Sequence, residues 1–227
     1  THENPKRENE NLYTLIDAQV DGILMSVTDV TNENNDAFHN VLEKNVPLIF
    51  FDRSKHIDGV SSVTINDFKG GYIATKQLID QGCKKIAHLS GDQSLEIFKN
   101  RFLGYKQALI DNGLKFNEKY IIQSKSSVEA GKNAIDILLD LETPPDAIFS
   151  SSDFAALGAI QELRDRNINI PQEFCVAGFS NEPFTKFMEL SITSVDQSPL
   201  EMGKMSARVF LEQVGKTDTI KKKKKVV

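Results

Sequence analysis

The sequence has no long apolar run. Its best apolar stretch, Val46 to Phe51, is only strand length, far short of the roughly 18 residues that a membrane-spanning helix needs. No basic segment followed by an apolar one opens the chain, so no secretory signal is read there. Cysteine is scarce. Cys83 and Cys175 give neither metal-ligand spacing nor a disulfide framework. Both flank apolar strands and read as small buried hydrophobes in a reducing compartment. Motifs that carry chemistry are also missing. There is no G-x-x-x-x-G-K-[ST] or G-x-G-x-x-G loop to cradle phosphate, no G-x-S-x-G elbow and no H-E-x-x-H pair. The four histidines, His2, His39, His56 and His88, are scattered. His88 lies inside an apolar strand, where a hydrogen-bonded core histidine outranks a catalytic one. Without a nucleophile–base pair or a metal cluster, an enzyme has a weak case, and no metal or cofactor is expected.

What is present is ordinary for a globular protein. The 227 residues are 40% hydrophobic and 26% charged, enough apolar content to exclude a disordered chain. The net charge of −5 comes from 27 basic and 32 acidic residues. Five of the basic residues form the run Lys221 to Lys225, and without it the balance is 22 against 32, or −10. A body this acidic is a poor duplex-DNA binder, because phosphate neutralisation supplies most non-specific affinity. The lysine run reads as a solvated edge strand or tail.

Short runs rich in β-branched and aromatic residues recur at Gly22–Ser26, Val46–Asp52, Ser61–Ile65, Lys85–Ser90, Lys119–Gln123, Ala147–Ser150, Phe174–Gly178 and Thr193–Asp196. Between most of them, apolar residues recur at helical spacing, as in Phe102, Tyr105, Ala108 and Leu109, or Ala155, Ala159, Ile160 and Leu163. Strands alternating with crossover helices predict an α/β fold with parallel sheets. The uniformly apolar strands predict helices on both faces. The ends suggest a fragment, since a helix over Glu8–Gln19 precedes the first buried strand and the last segment stops in mid-strand.

In open α/β sheets, ligands bind beyond the carboxyl ends of the strands. Those ends carry Asp52-Arg53, Gly91-Asp92, Ser150 to Asp153, Ser180-Asn181 and Gln197, and Arg101 lies early in the helix after Ser90. These are hydrogen-bonding groups of both signs without a reactive centre, and they suit a polyhydroxylated or amide-bearing small molecule. Each also has a plain reading as a cap or turn residue. For Asp153 the cap reading is the stronger, and for Asp52-Arg53 the two are level.

The order of segments resembles the effector-binding domain of LacI/GalR-family bacterial transcription regulators, which is related to the type I periplasmic sugar-binding proteins. The likeness is carried by Val20-Asp21-Gly22-Ile23-Leu24, by Val46 to Arg53, by Ile86-Ala87-His88-Leu89-Ser90-Gly91 and by Asn100-Arg101-Phe102-Leu103-Gly104-Tyr105. It continues through Asp146 to Phe149, Asp153 to Ala159, Ile170 to Phe179 and Ile192 to Gln197, leading to Met202-Gly203 and Ala207. Each segment alone is weak, but the ordered set covers nearly the whole chain.

The resemblance implies two Rossmann-like subdomains with parallel sheets and an effector cleft between them. It places residues 1–65 plus 194–214 in the first subdomain and 66–193 plus 215–227 in the second. A helix-turn-helix and a first βαβ unit, both expected in such a regulator, are not in this sequence. The implied ligand residues are Asp52, Arg53, Arg101, Phe149, Ser152, Ser180, Asn181 and Gln197. Arg101→Ala is expected to remove ligand binding with little loss of fold stability. Ser152 and Ser180 depart from the asparagine and aspartate usual at their positions, which leaves the effector open. The implied partners are a small-molecule effector of the carbohydrate class, operator DNA through a domain outside the sequence, and a second copy of the chain. Phe184, Phe187 and Met188, placed on one face, are expected at the dimer interface. The Ile170-Pro171-Gln172-Glu173 stretch favours a cytoplasmic allosteric regulator over the alternative, a periplasmic sugar-binding protein of a transport system.

Overall fold

Strands form where the sequence runs apolar, and three of the helices are capped by the side chains of Asn4, Asn35 and Ser127. The computed structural model describes residues 1, 3–28, 35–187, 192–214 and 223–226. The chain divides into two compact units, Thr1–Asn66 with Ser198–Val227, and Asp67–Gln197.

The first unit holds β1 (Ile23–Met25), β2 (Leu48–Phe51), β3 (Ser61–Thr64) and β9 (Lys224–Val226), all parallel and in the order β1-β2-β3-β9. Its helices are α1 (Pro5–Asp17), α2 (Asp36–Glu43) and α7 (Pro199–Leu211). Strand β2 shows why the run is apolar throughout. Leu48 and Phe50 pack with Leu12, Ile16, Phe38 and Val41 of α1 and α2, while Ile49 packs with Val63 and with Met202 and Val209 of α7. Alternate side chains face opposite sides of a sheet, so both must be apolar when helices cover both. Helix α1 begins at Pro5 rather than Glu8, because the Asn4 side chain accepts from the backbone N–H groups of Lys6 and Arg7 and proline takes the first turn.

The second unit holds β4 (Ile86–Ser90), β5 (Ile121–Gln123), β6 (Ala147–Ser150), β7 (Cys175–Ser180) and β8 (Thr193–Asp196) in the order β5-β4-β6-β7-β8, again parallel. Helices α3 (Asp67–Asp80), α4 (Glu96–Asp111), α5 (Val128–Leu139) and α6 (Asp153–Asp165) cover it. Leu89, Ile135, Leu138, Ile148, Leu163 and Val176 lie at the centre of one face. The helices pair by close backbone approach. A Cβ at Gly71 of α3 would strike the Arg101 carbonyl of α4, and one at Gly104 of α4 would strike the Phe68 carbonyl of α3. The pair α5 and α6 repeats the device, with Gly131 against the Ala155 carbonyl and Gly158 against the Val128 carbonyl.

The two expected subdomain boundaries need correction. Strand β8 is laddered to β7 from Ala177–Thr193 to Ser180–Asp196, so residues 194–197 stay with the second unit. Strand β9 pairs with β3, so the tail strand lies in the first unit and not the second. Hydrogen-bond ladders decide membership, and the order of motifs along a chain does not report them. Lys224 and Lys225 are exposed on β9 at the edge of its sheet, where lysine blunts edge-to-edge pairing. Among the described residues, no helix is long and apolar enough to cross a membrane.

Both cysteines are buried and free. Burial, reinforced by a hydrogen bond with Cys175, pushes the Cys83 thiol up to about 12. A thiol held protonated in this way is chemically inert, in keeping with the core reading of both residues.

Candidate ligand-binding site

The carboxyl ends of the second unit's strands gather hydroxyl and amide groups. Strand β4 ends at Ser90, β6 at Ser150 and β7 at Ser180, and Gln197 follows β8 directly. The hydroxyls are interlinked. Ser90 Oγ accepts from Gln93 Nε2 at 3.1 Å, and Ser151 Oγ donates to the Leu89 carbonyl at 2.8 Å while accepting from the Gly91 N–H at 3.0 Å. Ser150 Oγ donates to the Ser152 carbonyl at 2.7 Å. Ser152 precedes α6 as its N-cap, yet its side chain makes no capping bond. Gln197 Nε2 donates to Ser180 Oγ at 3.1 Å. Asp92 accepts from the Ser94 N–H at 2.9 Å, and that bond holds its carboxyl below the usual range.

Arg101 lies beneath this rim and is only 3% exposed. The α3–α4 glycine crossing brings it to Asp67, whose Oδ1 accepts from Nε at 2.8 Å. Its Nη1 donates to the Ser151 carbonyl at 3.0 Å. The guanidinium carbon lies 3.6 Å from the Phe179 ring centroid and 5.5 Å from that of Phe98, a cation–π arrangement. The sequence reading missed this ion pair, because no local pattern joins residues on two different helices.

Phe149 needs the largest correction. It is fully enclosed, with its ring stacked on His88 at 4.8 Å and 6.4 Å from Phe179. It is a packing residue in the sheet rather than a ring at the rim. His88 is equally enclosed, with Tyr105 on it at 5.0 Å. Its Nδ1 lies 2.9 Å from the Phe149 carbonyl. A carbonyl can only accept, so Nδ1 carries the proton.

The turn after β7 is unusual. Ser180 has φ 118 and Asn181 φ 53, two consecutive non-glycine residues with positive φ, a conformation that clusters at functional sites. Asn181 N donates to Ser194 Oγ at 2.9 Å and its Nδ2 to Asp196 Oδ2 at 3.1 Å. The Asp153 side chain, 1% exposed, accepts from Ser194 Oγ at 2.7 Å and from the Glu182 N–H at 2.8 Å. Its carboxylate therefore reaches across to β8 and the turn after β7. The sequence reading, which ended β7 at Gly178, had no sign of this turn.

In the first unit, Asp52 follows β2 with φ 60, and Arg53 Nη1 pairs with Glu3 Oε1 at 2.9 Å. Glu8, buried in α1, accepts from the Thr28 N–H at 2.7 Å, a carboxylate that sequence reading passed over because its partner lies 20 residues further along the chain. Of the expected interface residues, Phe184 is partly buried against the core and 5.0 Å from Phe154, whereas Phe187 is 87% exposed. The segment is a short 3-10 turn, Pro183–Lys186, with Phe187 as its C-cap. Met188 lies outside the described residues. Among the described residues, no group of three or more His, Cys, Asp or Glu side chains could hold a metal.

Known proteins resemble this arrangement. The HTH-type transcriptional repressor PurR of Actinobacillus pleuropneumoniae serotype 3 (strain JL03) is 30% identical over 214 residues, which covers 94% of this chain and 63% of that protein. The chain thus spans just under two thirds of that curated relative. In fold it is similar to the transcription regulator CcpA of Lactococcus lactis, with TM-score 0.86, 25% identity and coverage of 99% of this chain and 80% of that one. The transcriptional regulator CelR in complex with cellobiose gives TM-score 0.84, 28% identity and coverage of 97% and 67%. The description of the periplasmic binding protein-like domain matches residues 75–227, well over half of the sequence and nearly all of the unit that carries the serine rim and Arg101, and to that domain family the chain belongs.

Proposed function

We propose that this chain is the effector-sensing part of a cytoplasmic bacterial transcription regulator of the LacI/GalR kind. It binds a small, hydroxyl-bearing molecule at the carboxyl ends of its strands, with Asp52, Arg53, Arg101, Ser152, Ser180, Asn181 and Gln197 as the recognition set and Phe149 packed beneath it. The observation that carries this reading is the rim of serine hydroxyls and amides beside a buried arginine. Such groups recognise polyols by directional hydrogen bonds. The relatives named repressor and regulator favour gene control as the output, and the cellobiose complex favours a sugar as the input. Operator DNA is read by another part of the protein, since this acidic body offers phosphate little attraction. Effector binding changes operator affinity through a coupling of about 1–3 kcal/mol, or roughly 5- to 150-fold.

The test is a thermal-shift panel of ribose, cellobiose, sugar phosphates, uronic acids and purine bases. A selective ligand at about 100 times its Kd adds roughly 2.7 kcal/mol. A panel with no shift removes the carbohydrate reading.

The protein also acts as a pair of copies, with Phe187 as the side chain covered by the second copy. Its large apolar ring is 87% exposed, and covering such a ring with a second copy would be favourable. Phe187→Asp is expected to shift the mass in solution from dimer to monomer. An unchanged mass rules Phe187 out of the interface.

A further inference from the structure

We propose that Asp153 is the positioning residue of the turn after β7, the group that holds Ser180 and Asn181 in their left-handed conformation. The inference rests on the proposed effector reading only in giving that turn a purpose. Serine at φ 118 is far from the regions an L-residue prefers, and such a residue persists only where its surroundings over-determine it. Asp153 supplies that determination from two sides. One carboxylate oxygen takes the Glu182 N–H, just past the turn. The other takes the Ser194 hydroxyl, which in turn accepts the Asn181 N–H within the turn. Helix α6, the turn and strand β8 are thereby tied through one buried carboxylate.

The site is built for a carboxylate. A Cβ at position 178 would collide with Asp153 Oδ1, and Gly178 leaves that space open. Both neighbours donate, so two acceptors are needed. An asparagine offers only one. If its amide faces Glu182, donor meets donor. If it faces Ser194, the hydroxyl accepts twice and its own proton loses the partner it had. The ordered turn then presents Ser180 Oγ, already bonded to Gln197, at the rim.

Amide hydrogen exchange on the intact chain tests this without knowledge of the effector. Asp153→Asn is expected to raise exchange at Asn181 and Glu182 about tenfold, the scale of one lost buried hydrogen bond, while Leu89 and Ala177 stay protected. In the double variant Asp153→Asn with Ser180→Gly, protection at Asn181 returns toward the parent value, because glycine takes a positive φ without strain. A general loss of stability would move all four amides and would not respond to glycine, and either result overturns the proposal. The compound panel run on the parent separates the two readings. Exchange that behaves as expected, in a protein whose parent form binds no compound, leaves Asp153 in its role and counts against the carbohydrate effector.

Discussion

Arg101→Ala is expected to lower the stability of the second unit by about 3–5 kcal/mol, the usual cost of stranding one member of a buried ion pair. The substitution leaves Asp67, itself 7% exposed, without the guanidinium 2.8 Å away, and removes the donor to the Ser151 carbonyl. It also takes the cation from the Phe179 face. This differs from the expectation from sequence, in which the variant keeps its stability and loses only its ligand. Chemical unfolding followed through the exchange of β4 and β6 amides gives the measurement, since two units need not unfold together. Arg101→Lys separates charge from shape. Lysine keeps the positive charge but loses the planar fork that reaches Asp67 and Ser151 together, so an intermediate loss is expected. A drop below about 1 kcal/mol for Arg101→Ala, the scale of an exposed pair, would show that the pair is not stabilising.

The second large effect is a pH dependence. Burial, with a smaller contribution from the charge of Arg101, lowers the His88 imidazole to about 4, against the hydrogen bond with the Phe149 carbonyl, which raises it. The folded value lies below the ordinary 6.5, so between pH 6.5 and about 4 the unfolded chain binds the proton and the folded chain does not. Stability from the neutral ring is therefore complete above pH 6.5 and falls as the pH drops towards 4, by about 3 kcal/mol across the window. Carboxylates titrate in part of the same range, so the quantity to measure is a difference. The unfolding free energy of the parent minus that of His88→Phe is expected to fall by about 2–3 kcal/mol from pH 7 to pH 4.5. Parallel pH profiles for the two proteins would contradict it.

Much of the fold was legible because burial on both faces forces strands such as Leu48–Phe51 to be apolar throughout, and crossover helices show a second period between them. The eight expected strands fall on β1 to β8; several are a residue or two shorter than the apolar run, and β7 alone continues two residues past it, to Ser180. The candidate site was legible only as a set of strand ends. Which of its polar groups are already spent on one another was not, since Arg101–Asp67 and Asp153–Ser194 join elements that are far apart in the chain. One signal was available and unused. Gly71, Gly104, Gly131 and Gly158 all fall inside segments with helical spacing, where glycine costs about 1 kcal/mol relative to alanine and therefore points to a packing reason.

Those glycines also sort the molecule for anyone who would re-target it. At Gly71, Gly104, Gly131 and Gly158 the obstacle to a larger residue is main chain of the facing helix, which no compensating side-chain change elsewhere can move aside. A library that spares these four and diversifies the proposed recognition residues Ser152, Ser180, Asn181 and Gln197 would test them on an unchanged chassis. One that touches the crossings would spend most of its members on proteins that do not fold.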